Sequence, residues 1–290
     1  MKYVDQINGS TKVYGLIGHP IKHTLSPIIH NTLANMLGNN MIYVPFEVPS
    51  GGLKEALVGA YQLNIQGLNV TVPYKQEVIP FLLKLEGYAD QIGAVNTLKR
   101  SKDGYIGYNT DAEGLLQSLL QNDINIRGQN IMIIGAGGAA RAAAMVTASQ
   151  NPKQILIVNR TQEKAQELAQ AVSRYYNVPV KSGSLDFIVQ DFPVDVCIQT
   201  TSVGLYPRED QSPVTDETFF TQVQAAVDLI YNPSETLFLK MAKAAGCKTV
   251  NGFGMLFYQA IKAYEIWNEI IVPQNYVDLL FQSLKKELNL

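Results

Sequence analysis

Lys75 and Asp111 are an ammonium and a carboxylate set in short polar segments, Asn69-Val70-Thr71-Val72-Pro73-Tyr74-Lys75 and Asn109-Thr110-Asp111, that folding alone does not require. A third such segment is Lys22-His23-Thr24-Leu25-Ser26-Pro27. Each follows or ends an apolar run that reads as a strand. In open α/β sheets the strand ends form the ligand crevice, so side chains distant in sequence can converge there. Pro73 ends strand pairing, and the sequence then predicts a helix start at Lys75, where the dipole disfavours the ammonium form and suits the side chain to proton transfer. Thr110-Asp111-Ala112-Glu113 fits a capping box in which Thr110 and Glu113 satisfy the helix start. Asp111 is then released from capping and can accept a hydrogen bond from a substrate hydroxyl or from Lys75. Taken singly, a lysine is more often a surface group and an acid in a first helical turn is ordinary, so neither residue alone identifies a site.

A second chemistry is written around Gly135. The apolar strand Ile131 to Ile134 runs into Gly135-Ala136-Gly137-Gly138-Ala139-Ala140 and then into a small-residue helix, Arg141 to Gln150. This is GxGxxA in its setting of strand, turn and helix. The first glycine permits the tight turn, the second lets backbone approach a pyrophosphate, and the small third residue allows helix and strand to pack closely, with phosphate at the helix N-terminus. Arg141 is awkward in a first helical turn unless an anion sits nearby. The plainer reading is a glycine-rich turn with a solvated arginine. An NAD site expects Asp or Glu about 20 residues on, to hold the ribose 2′-hydroxyl. Here the next strand, Ile155 to Val158, ends in Asn159-Arg160-Thr161. Arg160 can pair with a 2′-phosphate and lie against adenine, which indicates NADP; Thr161 can also serve as a helix cap. The missing acid argues against a methyltransferase as well.

The elements that must position these groups alternate. Strand candidates Val13 to Ile17, Ile42 to Glu47, Gly67 to Val70, Ile131 to Ile134, Ile155 to Val158, Val194 to Thr200 and Ala225 to Asp228 are mostly separated by helical patterns. That rhythm predicts an α/β protein with mainly parallel sheets and helices on both faces. Val95 to Lys99 and Tyr105 to Gly107, joined through Ser101-Lys102-Asp103-Gly104, read as a hairpin closing the first half, with a domain boundary near Asn109. The final helices, Met255 to Ile271 and Pro273 to Lys286, have no strand after them and are expected to pack back on the first domain.

Composition bounds the rest. The chain has 290 residues, 47% hydrophobic and 17% charged, which is globular rather than disordered and long enough for two cores. Lys+Arg 23 against Asp+Glu 25 gives a net charge of -2, so no overall positive field exists to attract nucleic acid or an anionic membrane. Met1 to Lys12 lacks an apolar signal core, and no apolar run reaches the roughly 18 residues needed to span a bilayer, so a cytoplasmic location is expected. Cys197 and Cys247 read as small core residues. His19, His23 and His30 are interrupted by Pro20 and Pro27, and no metal site is expected.

The segments HTLSPxxHN, NVTVPYK, GAVNT, GYNTD, GAGGAARA, NRT and GFGMLxxQ, in this order and spacing, resemble the shikimate dehydrogenase family and cover nearly the whole chain. The resemblance implies a substrate-binding domain over residues 1–110, completed by 253–290, and a Rossmann-like NADP-binding domain over 111–252. It implies reversible reduction of 3-dehydroshikimate to shikimate by NADPH, a step in making aromatic amino acids. By similarity, Lys75 and Asp111 form the catalytic pair, and Thr24 and Ser26 hold the substrate carboxylate. Thr71, Asn96, Asp111 and Gln259 bind the ring hydroxyls, with Lys75 also touching substrate and Tyr231 close to the carboxylate end. Gly135, Ala136, Gly137, Gly138, Ala139, Asn159, Arg160 and Thr161 hold the cofactor. Thr201, Ser202 and Val203 form the nicotinamide-side loop, and Gly252 and Met255 border the ring. As ordinary structure, Thr24 and Ser26 are loop or cap residues, Asn96 a turn former and Gln259 a solvated helix position. The chain departs from the family at Thr24, where serine is usual, and at Asn251, where Asp is common. Thr24 adds a methyl group beside the substrate's C1 end, so a quinate or dual quinate/shikimate dehydrogenase is the near alternative. A non-catalytic NADP(H) or shikimate sensor is the alternative of another class, and the intact Lys75 and Asp111 speak against it. A monomer or homodimer is expected.

Overall fold

The computed structural model describes residues 7–22, 24–185 and 192–288; residues 1–6 of the N-terminal stretch and His23 lie outside the described residues. The chain divides into two compact units, one built from Met1–Thr110 and Gln259–Asn289, the other from Asp111–Tyr258.

The first unit contains β1 (Lys12–Gly18), α1 (Ser26–Met36), β2 (Met41–Glu47), α2 (Leu53–Gln62), β3 (Gly67–Val70), β4 (Lys84–Leu85), α3 (Ala89–Ile92), β5 (Thr97–Ser101) and β6 (Gly104–Tyr108). Its sheet runs β2-β1-β3-β5-β6-β4. Neighbours β1/β2, β1/β3 and β4/β6 are parallel, while β3/β5 and the β5/β6 hairpin are antiparallel. Ile17, Leu68, Val70 and Leu98 carry the sheet into a core with Val48, Leu57, Tyr74 and Val78. On the other face sits Trp267: its indole N–H donates to the Leu98 carbonyl at 2.8 Å, and a Cβ on Gly67 would lie 2.3 Å from that nitrogen. The strand thus needs a glycine where the helix of residues Phe253–Asn268 lays its tryptophan.

The second unit contains α4 (Asp111–Gln121), β7 (Asn130–Ile134), α5 (Gly138–Ser149), β8 (Gln154–Val158), α6 (Gln162–Tyr175), β9 (Val180–Gly183), β10 (Val196–Gln199), β11 (Ala225–Asp228), α7 (Leu237–Ala244) and β12 (Lys248–Val250). All neighbours in its sheet, β12-β11-β10-β7-β8-β9, are parallel. The strand order reverses between β7 and β10, the switch point at which open α/β sheets bind ligands beyond the strand carboxyl ends. Central strands β7 and β10 are buried throughout, so they read as unbroken apolar runs. The short strands absent from the sequence reading, β4, β9 and β12, are sheet edges with partly exposed, polar residues and no apolar run to mark them. Cys197 and Cys247 are free and sit in the core under this sheet, and burial pushes the Cys197 thiol up.

The last two helices are α8 (Phe253–Asn268) and α9 (Gln274–Glu287). The division between the two compact units falls inside α8, after Tyr258. The reason is local: Gly254 lies against Ser118 of α4, with a Cβ there meeting its Oγ at 2.3 Å, so the first turns of α8 pack with the second unit.

Candidate active site

In the first unit, the chain leaving β3 is fastened residue by residue. Thr71 N–H donates to the Ile17 carbonyl at 2.9 Å, and Val95 N–H donates to the Lys75 carbonyl at 2.7 Å. Buried Tyr74 donates its hydroxyl to the Val48 carbonyl at 2.8 Å, pinning the segment from below while Lys75 and Thr71 stay half-exposed. The expected helix start at Lys75 is corrected. Residues 72–78 form consecutive turns that lead into a three-residue 3₁₀ segment, Ile79–Phe81, so no regular helix dipole acts on the lysine.

Asn96 is the hub of a buried polar layer. It is 3% exposed; its Oδ1 accepts the Thr110 N–H at 2.8 Å, and its amide nitrogen donates to Thr110 Oγ1 at 3.1 Å and reaches Gln259 Oε1 at 3.5 Å. The capping-box reading assigned the Thr110 N–H to Glu113; Asn96 accepts it, and the Thr110 hydroxyl faces Asn96, Thr97 and Gln259. Asn69, also buried, donates to the Asn96 carbonyl and to Thr97 Oγ1, both at 3.1 Å, and accepts the Tyr43 hydroxyl at 2.7 Å. A buried polar group costs free energy unless paired, and this layer is paired from Tyr43 to Gln259. Gln259 is therefore a buried member of it, not a solvated helix position.

Thr24 and Ser26 precede and open α1. The Thr24 hydroxyl lies 3.2 Å from Ser26 Oγ and accepts the Ser26 N–H at 3.2 Å, a local turn that holds two hydroxyls together. Four residues on, His30 is fully buried and stacks on Tyr43 at 4.3 Å, while Asn31 accepts the Tyr43 N–H at 2.8 Å and donates to its carbonyl at 3.0 Å. Since β2 is an edge strand, Asn31 satisfies backbone groups that no further strand can pair. Burial drives the His30 imidazole down to about 3, opposed by the nearby Asn69 side chain; among the described residues neither ring nitrogen meets a partner in hydrogen-bond geometry. His19 faces Glu47 at 3.0 Å instead. Sequence reasoning passed over Tyr43, His30, Asn31 and Asn69; the second half of HTLSPxxHN and the first residue of NVTVPYK carried signals for three of them, and Tyr43 carried none.

In the second unit, Gly135 ends β7 with φ +117, and a Cβ there would lie 2.4 Å from Thr200 Oγ1. Gly137 is the N-cap of α5 without a side-chain cap; Cβ atoms on Gly137 or Gly138 would meet nothing within 4 Å. The turn is thus closed on the strand side and open above the helix start, with Ala136 and Ala139 half-buried beside it, the shape a pyrophosphate requires. At the end of β8, Asn159 donates to the Thr161 carbonyl at 2.9 Å, Arg160 is exposed, and Thr161 occupies the N-cap of α6 without a side-chain capping bond. The segment Asn159-Arg160-Thr161 that ends β8 carries no carboxylate, so these residues fit a 2′-phosphate rather than a free ribose.

Thr201, Ser202 and Val203 follow β10 and are held by buried Gln199, whose amide nitrogen donates to the carbonyls of Thr201 and Val203, each at 3.1 Å. Tyr231 follows β11, half-buried, with its pKa raised by that burial. Gly252 lies on the backbone of Leu229, where a Cβ would be 2.0 Å from the carbonyl oxygen, and Met255 is buried three residues on. Asn251 donates to the Ser234 carbonyl at 3.0 Å and accepts the Phe253 N–H at 3.2 Å. An aspartate could perform only the second of these tasks.

The strand order of the second sheet and the open glycine turn at its switch point define a protein of the dinucleotide-binding α/β class. Two family models match the chain, one described as the shikimate dehydrogenase substrate binding domain over residues 16–98, the other as shikimate / quinate 5-dehydrogenase over residues 115–206. The NADP(+)-type shikimate dehydrogenase of Desulforamulus reducens is 41% identical over 287 residues, covering 98% of each chain. That of Carboxydothermus hydrogenoformans is 42% identical over 92% of this chain and 95% of its own. Among solved structures, a shikimate dehydrogenase in complex with NADP+ is 40% identical with a TM-score of 0.86, covering 96% of both chains. The shikimate 5-dehydrogenase of Listeria monocytogenes, in complex with shikimate and NAD, is 31% identical with a TM-score of 0.88, over 96% of this chain and 98% of that one. The chain belongs to the shikimate dehydrogenase family.

Proposed function

We propose that this protein is an NADP-dependent shikimate dehydrogenase, interconverting 3-dehydroshikimate, NADPH and a proton with shikimate and NADP+. The observation that carries the cofactor is the corner after β8, where Asn159-Arg160-Thr161 stands without a carboxylate beside an open glycine turn. Gly135, Ala136, Gly137, Gly138 and Ala139 hold the pyrophosphate, Asn159, Arg160 and Thr161 the 2′-phosphate end, and Thr201, Ser202, Val203, Gly252 and Met255 the nicotinamide end. When bound, the cofactor supplies or accepts the hydride.

The remaining work falls to the chain's own side chains. Thr24 and Ser26 hold the substrate carboxylate with two hydroxyls already brought within 3.2 Å of each other, and family resemblance assigns Tyr231 to the same end of the substrate. Asn96 and Gln259, paired through the buried layer, bind ring hydroxyls without reorganising, because their other hydrogen bonds are made before substrate arrives, and Thr71, its backbone tied to Ile17, binds a further hydroxyl. Lys75, its backbone fixed by Val95, binds the reacting hydroxyl and moves its proton. Asp111, in the first turn of α4, orients and polarises that hydroxyl.

A second reading, quinate or dual quinate/shikimate oxidation, is favoured by Thr24, whose methyl group stands where serine is usual. Initial rates with shikimate and quinate, each with NADP and NAD, followed by absorbance of the reduced nicotinamide, test both. Shikimate with NADP is expected to be fastest. Equal rates with NAD would remove the role given to Arg160, and tight ligand binding without turnover would make the protein a sensor. Among the described residues no helix is long and apolar enough to cross a membrane. A cytoplasmic location, and a monomer or homodimer, complete the proposal.

A further inference from the structure

Asp228 ends β11 with its side chain wholly buried, and its carboxylate bonds to Ile230 and Thr236 in the loop that follows and to Gln199, the last residue of β10, all at the carboxyl edge of the second sheet. Its Oδ2 accepts the Thr236 hydroxyl at 2.6 Å; its Oδ1 accepts the Ile230 N–H at 3.0 Å and faces the Gln199 amide nitrogen at 3.4 Å. That same nitrogen holds the carbonyls of Thr201 and Val203, and the Thr201 N–H donates back to Gln199 Oε1. A third loop rests on the second, since Gly252 N–H donates to the Ile230 carbonyl at 2.9 Å and Gly252 has no room for a side chain above Leu229. One carboxylate therefore ties together the loops after β10 and β11 and, through them, the loop after β12.

Folding alone does not call for a charge here. Desolvation lifts the Asp228 pKa to about 6, opposed by the bonds from Thr236 and Ile230, so at neutral pH the fold keeps a carboxylate that burial disfavours. Cys197, on the neighbouring strand, feels this charge, and burial holds it as a neutral thiol. The three tied loops carry Thr201, Ser202, Val203, Tyr231 and Gly252.

We propose that Asp228, acting through Gln199 and Thr236, is a positioning residue that fixes the nicotinamide end of the NADP(H) site. The inference rests on the cofactor reading given above. It predicts that losing the carboxylate loosens the loops around one end of the cofactor and leaves the 2′-phosphate corner after β8 intact.

The test compares binding of NADPH, by fluorescence of the reduced nicotinamide, with binding of adenosine 2′,5′-bisphosphate, which lacks the nicotinamide. Asp228→Asn and Thr236→Val should weaken NADPH about tenfold, the effect of breaking one buried charge-assisted hydrogen bond, with the bisphosphate changed by less than about twofold. Thr236→Ser, which keeps the hydroxyl, should restore NADPH binding. In turnover, KM for NADP should rise, and KM for shikimate should rise less, since of the substrate-binding residues only Tyr231 lies on a tied loop. Wild-type NADPH affinity should also fall as pH drops through about 6 and stay flat in Asp228→Asn, after the bisphosphate's own pH dependence is subtracted. Unchanged NADPH binding in folded Asp228→Asn, or equal loss of both ligands, overturns the proposal. If Asp228→Asn does not fold, equal behaviour of Thr236→Val and Thr236→Ser overturns it instead. A wild type that binds NADPH in this pattern yet oxidises no shikimate would sink the substrate reading and leave the role of Asp228 standing.

Discussion

His30→Phe tests how the substrate-binding unit responds to acid. The imidazole is fully buried, stacked on Tyr43 at 4.3 Å with Trp267 at 5.1 Å, and among the described residues neither ring nitrogen meets a partner in hydrogen-bond geometry. A phenyl ring can fill the same stack without losing a hydrogen bond. Burial lowers the folded-state pKa to about 3 from the ordinary 6.5. An acid-side shift of this sign means that the unfolded chain takes up the proton first. The stability His30 contributes is complete above pH 6.5 and drains away as pH falls toward 3. Each pH unit in that window removes about 1.4 kcal/mol, so between pH 6.5 and 4.5 wild type should lose about 3 kcal/mol on this account. The carboxylates lose stability in acid too, but they are common to both proteins. The measurement is therefore the difference in urea unfolding free energy between His30→Phe and wild type at a series of pH values. It should grow in favour of the variant by about 3 kcal/mol from pH 7.5 to 4.5. A difference constant across that range would refute the reasoning and would place a hydrogen-bonding partner or a water against the ring.

Three further outcomes follow from particular contacts. Lys75→Ala should lower kcat by a factor on the order of 10² to 10⁴ while NADPH binding, measured by fluorescence, stays near wild type; unchanged turnover removes the lysine from proton transfer. Arg160→Ala should raise KM for NADP by roughly 10- to 100-fold and leave KM for NAD unaltered, since the arginine's task is the 2′-phosphate; parallel changes for both cofactors would contradict that. Gly67→Ala drives a methyl group to within 2.3 Å of the Trp267 indole and should cost about 1–3 kcal/mol in urea unfolding, with a change in tryptophan fluorescence.

Much of the architecture could be read from residue order alone, because buried parallel strands must be apolar throughout. β3 and β11 match the expected runs at both ends, and the glycine turn after β7 falls where strand and helix patterns meet. The edge strands β4, β9 and β12 escaped because half-exposed pairing leaves no apolar signature. The helix start read at Lys75 gave way to turns, since Tyr74 is drawn into the core and Val95 takes the Lys75 carbonyl that a helix would have used.

The sequence by itself determined the chemistry on offer: a lysine and an aspartate in polar segments, paired hydroxyls at Thr24 and Ser26, and a phosphate turn with arginine where an acid would select NAD. Local rules suffice for these, as turn glycines, caps and charge act within a few residues. Which polar groups are committed to one another was decided only by the tertiary structure. Asn96 takes the Thr110 amide that the local pattern assigned to Glu113, Tyr43 donates its buried hydroxyl to the Asn69 amide oxygen, and Asp228 joins Thr236 of the following loop to Gln199 at the end of β10. Partners separated by 8 to 29 residues leave no periodic trace in a chain, and it is burial, by making every unpaired donor costly, that selects them.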